Sequence, residues 1–129
     1  MNSKTQKTTV KGILKRGDEI LFVKDHKGVW ELPGGKIDFG ENPAETLKRE
    51  FREELGWNDL EVGRIVDVWT FTSQKEDMEY QFIVLVYECF SNEKEINHSD
   101  EHIEYKWVPI SEIDDLNMRE GYKNAVKKL

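Results

Sequence analysis

Glu50, Glu53 and Glu54 fall within five residues of one another, a spacing that puts all three on one face of a helix. Three adjacent carboxylates repel one another, and nothing in helix propensity asks for them; a bound cation would remove that cost. Upstream stand a glycine pair, Gly34 and Gly35, and a further carboxylate, Glu41. Magnesium takes oxygen ligands, keeps several waters and is held by a few carboxylates together with substrate phosphates. The chemistry these residues suggest is a hard divalent cation held beside a phosphate. The alternative is a solvated acidic face, which most glutamate-rich helices are, with Arg49 and Arg52 moderating the repulsion. That alternative leaves the glycine pair, Glu41 and the spacing between them unexplained.

A helix must position these carboxylates. Either Asn42 or Glu41 can cap it, and Pro43 suits its first turn because the missing N–H costs nothing there. Ala44, Leu47, Phe51 and Leu55 make an apolar stripe at spacings of three and four, and Gly56 supplies a stop. Before the helix, residues 9–15 and 19–24 read as strands joined by a turn at Gly17, and 29–32 as a short strand running into a turn at Pro33-Gly34-Gly35. After it, residues 60–72, 78–90 and 105–108 read as strands. Ser111 with Asp114 suggests a capping box, followed by an amphipathic C-terminal helix carrying Met118, Tyr122, Ala125, Val126 and Leu129. The order β-β-β-α-β-β-β-α indicates an α/β fold with helices packed on a mixed sheet. Residues 1–8 read as a flexible tail ahead of a single domain over 9–129.

A chain of 129 residues is one domain by length and long enough to bury a core. Charged residues make up 35%, but fourteen aromatics and the apolar run 82–87 argue against disorder. A net charge of −7 disfavours binding a nucleic-acid polymer through a general basic surface. Phosphate substrates are anions too, and a cation held by the glutamates would turn an acidic cleft into an anion site. Lys36, Arg49 and Arg52 add positive charge nearby. No apolar run reaches the length of a membrane span, and the N-terminus lacks the apolar stretch of a signal peptide. Cys89 is the sole cysteine, so no intrachain disulfide forms and a reducing cytoplasm is the expected setting.

Written as a pattern, residues 35–57 read glycine, five residues, glutamate, seven residues, Arg-Glu, apolar, any, Glu-Glu, any, glycine, apolar. Gly35, Glu41, Arg49, Glu50, Phe51, Glu53, Glu54, Gly56 and Trp57 occupy the defined places. The segment resembles the Nudix box, the signature of the Nudix hydrolase family, although Trp57 is bulkier than the aliphatic residue usual there. The resemblance implies an α/β/α sandwich with a mixed sheet, and hydrolysis of a pyrophosphate bond in a nucleoside diphosphate linked to another group. It implies magnesium (or manganese) held by Glu50, Glu53, Glu54 and the Gly35 carbonyl, with Glu41 and Arg49 bracing the turn and orienting the carboxylates. The cations would polarise phosphoryl oxygens, and Glu54 or Glu101 would accept a proton from the attacking water.

Many members recruit a further glutamate from a later loop. Glu93, Glu95, Glu101 and Glu104 are available here, and Glu101 is favoured because it lies six residues before Trp107, where MutT-like members place one. Glu104 is the runner-up, and His102 a weaker candidate base. Trp69 and Phe71 share a strand face with Asp67 and are candidates to stack on a nucleobase, the alternative being core aromatics. Lys36 is a candidate substrate contact. With no marker of coenzyme A, ADP-ribose or dinucleoside polyphosphate enzymes, the short chain looks like a MutT-type nucleoside triphosphatase. The competing readings are an ADP-ribose or nucleotide-sugar pyrophosphatase and a non-catalytic nucleotide-binding module. The expected partner is a small nucleotide, with no nucleic-acid polymer and no membrane, on a monomer or homodimer.

Overall fold

The computed structural model describes residues 3–97 and 104–129. Strand β1 (Ser3–Arg16) runs through the centre, followed by β2 (Glu19–Lys24), β3 (Trp30–Glu31) and β4 (Gly34–Lys36). Helix α1 (Pro43–Leu55) comes next, then the long hairpin β5 (Glu61–Lys75) and β6 (Met78–Phe90), then β7 (Glu104–Pro109). A 3₁₀ turn (Ile110–Asp115) and helix α2 (Glu120–Lys127) complete the chain. Among the described residues the sheet has the order β3-β2-β1-β6-β5, with β4 pairing to β1 and β7 to β2. It is mixed: β1 and β6 are parallel, and the other pairings are antiparallel. Among the described residues no helix is long and apolar enough to cross a membrane.

Every residue from Thr9 to Leu14 of β1 is buried, because helices cover both faces of the sheet. The period of two then sorts its side chains. Val10 and Leu14 pack with Leu47, Phe51, Leu55 and Cys89 beneath α1. Ile13 packs with Phe22, Val84, Val86, Tyr122 and Val126 beneath α2. Gly12 lets α1 come close: a Cβ there would lie 3.0 Å from both the Phe51 ring and the Cys89 sulfur. This is the expected sandwich of two helical layers on a mixed sheet.

Three local expectations change. Residues 3–8, expected as a loose tail, are the first part of β1, paired from Ser3 with Met78 onward. Their polar side chains gave no apolar signal, and the ladder to β6 satisfies their backbone instead. The Gly34-Gly35 turn is strand β4, with Gly34 opposite Lys11 and Gly35 opposite Val10. The Ser111–Asp114 capping box does not form: the 3₁₀ turn has no side-chain cap, and Asp114 Oδ1 pairs with Lys127 Nζ at 2.8 Å.

Candidate active site

Helix α1 is set by its ends. Asn42 is the cap: its side chain accepts from the Glu45 N–H at 2.9 Å, and Glu45 accepts in return from the Asn42 N–H at 3.0 Å. Gly56 closes the helix in the left-handed region at φ 75°. Leu47, Phe51 and Leu55 turn inward as the stripe requires, which brings the Arg49–Glu54 face alongside β4.

Glu41, free of capping duty, is the anchor of Arg49. Arg49 Nε donates to Glu41 Oε2 at 2.8 Å, while the Asp38 N–H and Thr46 hydroxyl donate to Oε1 at 3.1 and 2.8 Å. These bonds, led by the one from Arg49, lower the Glu41 carboxyl to about 2. The guanidinium reaches onward to Glu50 at 2.9 Å, to Glu53 and Asp38 at 3.3 Å each, and donates to the Lys36 carbonyl at 3.3 Å. Its own pKa is raised, first by the Glu41 bond and also by Glu50. Arg49 therefore ties α1 to the β4–α1 connection and stands between Glu50 and Glu53.

The three box glutamates have different environments. Glu54 is only 2% exposed, Glu50 is nearly buried, and the Glu53 side chain is 56% exposed. Gly35 meets the Glu50 carboxylate so closely that a Cβ would fall 2.5 Å from its Cδ. Among the described residues no three His, Cys, Asp or Glu side chains are gathered as a ready metal cluster. The donor chemistry nonetheless suits a hard cation: the Glu50 carboxylate lies against the backbone that Gly35 leaves bare, and Glu54 lines the same cavity.

A cavity of about 530 Å³ opens over this face. Glu50, Glu54, Gly35 and Lys36 line it, and so does Phe71. Lys36 Nζ lies 5.9 Å from the centre of the Phe82 ring, which also borders the cavity. Trp69 does not share Phe71's place. It lies behind, stacked on Phe71 at 5.3 Å and edge-on to Tyr122 at 4.8 Å. A Cβ on Gly121 would fall 2.2 Å from its ring, so Trp69 belongs to the α2 side of the core. Asp67 pairs with Lys128 at 3.0 Å.

Glu101 and His102 lie outside the described residues. Glu104 opens β7 and pairs with Lys24 at 2.9 Å. The Glu93 and Glu95 carbonyls serve structure: Arg16 donates to the first, and the Trp57 indole N–H to the second at 2.8 Å. Arg16 is held between Trp57 and Trp107, its guanidinium 5.2 and 5.0 Å from the two ring centres. Cys89 is buried, and burial pushes its thiol up to about 12, so it is a core residue rather than a nucleophile.

Sequence reasoning missed Lys11 and Glu31, which also line the cavity and pair at 3.3 Å. The available signal was a lysine between Val10 and the Gly12-Ile13-Leu14 stretch of an otherwise apolar segment. Its partner sits on another strand, so periodicity could not name it.

The family description of the NUDIX domain matches residues 5–129. Nucleoside triphosphatase NudI of Salmonella agona (strain SL483) is 33% identical over a 140-residue alignment spanning 96% of this chain and 98% of the relative. The structure of a MutT protein from Methanosarcina mazei Go1 superposes with a TM-score of 0.84 at 25% identity, covering 97% of this chain and 93% of that one. A C. elegans Ap4A hydrolase shares the fold at a TM-score of 0.70 and 17% identity, with 95% and 93% covered.

Proposed function

The chain belongs to the NUDIX domain family of pyrophosphohydrolases, and from that premise we propose that it is a magnesium-dependent hydrolase (manganese serving as an alternative) of a pyrophosphate bond in nucleoside triphosphates. The observation that carries this reading is the shared cavity, where Glu50, Glu54, Gly35 and Lys36 face the same space as Phe71 and Phe82. A nucleotide needs both halves, an anion site and an aromatic surface. The name of the Salmonella agona relative, a nucleoside triphosphatase, supports the triphosphate choice.

Glu50, Glu53, Glu54 and the Gly35 carbonyl are the groups that would hold the cation. When bound, it polarises phosphoryl oxygens and offsets their charge in an otherwise acidic cleft. The protein's own residues do the rest. Arg49 fixes the Glu50 carboxylate at 2.9 Å and is itself fixed by Glu41, so the carboxylate is oriented before any ligand arrives. Lys36, at the end of β4, supplies an ammonium for a phosphate oxygen. Glu54 or Glu101 accepts the proton of the attacking water. Glu54 is sheltered within the cavity wall, which supports giving it that role. The lone buried Cys89 supports a reducing, cytoplasmic setting.

The test is turnover by the purified protein on nucleoside triphosphates, ADP-ribose, nucleotide sugars and dinucleoside polyphosphates, with magnesium or manganese and with chelator. Expected is cation-dependent hydrolysis of triphosphates, lost at least 100-fold in Glu54→Gln. Preferential turnover of ADP-ribose or a nucleotide sugar would replace the substrate assignment. Nucleotide binding without turnover on the whole panel would make the protein a binding module.

A further inference from the structure

Cation and phosphate chemistry leaves one ionic pair in the cavity unused. Lys11 is 6% exposed, in the middle of β1, with Nζ 3.3 Å from Glu31 Oε1 on β3. Burying such a pair gains little stability over apolar residues of similar size, and its neighbour Ile13 shows what the strand uses elsewhere. The Glu31 carboxylate beside it keeps the ammonium paired and in place. Lys11 is thus a fixed cation beside a fixed anion, facing the space that Phe71 and Phe82 border. Those two rings lie 5.0 Å apart, stacked at 24°, and present an aromatic surface to a ligand.

We propose that Lys11 and Glu31 read the edge of the nucleobase, favouring bases that present a carbonyl oxygen next to a ring N–H: guanine, uracil and thymine. The inference rests on the nucleotide reading above. A lysine ammonium only donates, and an ionised carboxylate only accepts. The pair therefore matches an edge with one strong acceptor beside one strong donor. A carbonyl oxygen takes a charged N–H better than a ring nitrogen does, and a ring N–H flanked by a carbonyl is a stronger donor than an exocyclic amine. Adenine offers a ring nitrogen beside an exocyclic amine, and in cytosine the carbonyl has no ring N–H next to it, so neither presents the strong pair. Lys11 is already offset by Glu31, which leaves Lys36 as the lysine better suited to phosphate.

The experiment measures kcat/KM for GTP, UTP, ATP and CTP, and calorimetric affinity for the four nucleoside monophosphates, in wild type, Glu31→Gln and Lys11→Met. A good base-edge contact is worth about tenfold, so the wild type should favour GTP and UTP over ATP and CTP by about that factor. Glu31→Gln should bring the ratio within about threefold, because an amide both donates and accepts and serves either edge. Lys11→Met should lose the same ratio in monophosphate affinity as well as in turnover. A wild type indifferent to the base overturns the inference. So do variants that melt earlier while keeping the ratio, since that is a structural pair only. Base-dependent monophosphate affinity with no triphosphate turnover would sustain the inference and overturn the assigned reaction.

Discussion

Gly34 and Gly35 are adjacent in one short strand, yet adding a single methyl group to each should have opposite consequences. At Gly35 the backbone is not in the glycine-only region, and the new Cβ would lie 2.5 Å from the Glu50 Cδ and Oε1. The obstacle is the end of a flexible side chain. Ordinary contact needs about 3.5 Å, so the carboxylate must retreat by about 1 Å. The fold loses at most part of the Arg49–Glu50 pair, about 1 kcal/mol or less. Alanine returns some of this by restricting the unfolded chain. With Glu50 holding the cation as proposed, the site loses more, since a 1 Å displacement of a reacting group costs about 100-fold.

Gly34 is at φ +144°, and its Cβ would fall 2.0 Å from the Val10 carbonyl oxygen and 2.9 Å from the Lys11 Cα. Both obstacles are backbone atoms of the central strand. Strain at such a φ costs about 1–3 kcal/mol and overpacking about the same again. A loss of about 3–5 kcal/mol is a large part of the 5–15 kcal/mol that holds a domain together. We expect Gly35→Ala to melt within about 4 °C of wild type and turn over about 100-fold more slowly, and Gly34→Ala to melt more than about 10 °C lower. Thermal unfolding by circular dichroism and cation-dependent triphosphate turnover measure the two effects. If Gly35→Ala keeps wild-type activity, the close fit between Gly35 and Glu50 has no catalytic meaning. If it unfolds like Gly34→Ala, the argument from flexible and rigid obstacles is wrong.

Two further outcomes follow from the same geometry. Trp57→Leu removes the indole N–H bond to the Glu95 carbonyl and the ring contacts with Phe51 and Arg16, and should cost about 2–4 kcal/mol in denaturant unfolding; a loss under about 1 kcal/mol would mean the loop does not depend on it. Glu41, held down to about 2 by Arg49, stabilises the fold fully above its ordinary value of 4.5, and that contribution fades as pH falls toward 2. Stability of Glu41→Gln should therefore depend less on pH between 4.5 and 2 than that of wild type, and equal slopes would argue against the Arg49 anchor.

Trp57 also illustrates what a family pattern leaves out. An aliphatic residue is usual in that place, and the sequence marks only that this one is larger. Its indole reaches across to the segment after β6, 38 residues away, and clasps Arg16 from the far end of β1. Nothing local in the chain encodes those contacts.

The helix that carries the carboxylates is legible along the chain, from its proline and glycine ends to its apolar stripe, because capping and periodicity act within about a turn or two. So are the family and the mixed α/β fold, since the box pattern and the alternation of strands and helices lie in the order of the residues. Four features emerge only in the folded chain: Gly34 and Gly35 form a strand, residues 3–8 pair with β6, Phe71 faces the cavity with Trp69 behind it, and Lys11 meets Glu31. Each of those depends on partners from distant segments brought together by the sheet, and side chains 20 residues apart on strands that do not pair acquire a distance only once the whole sheet is assembled.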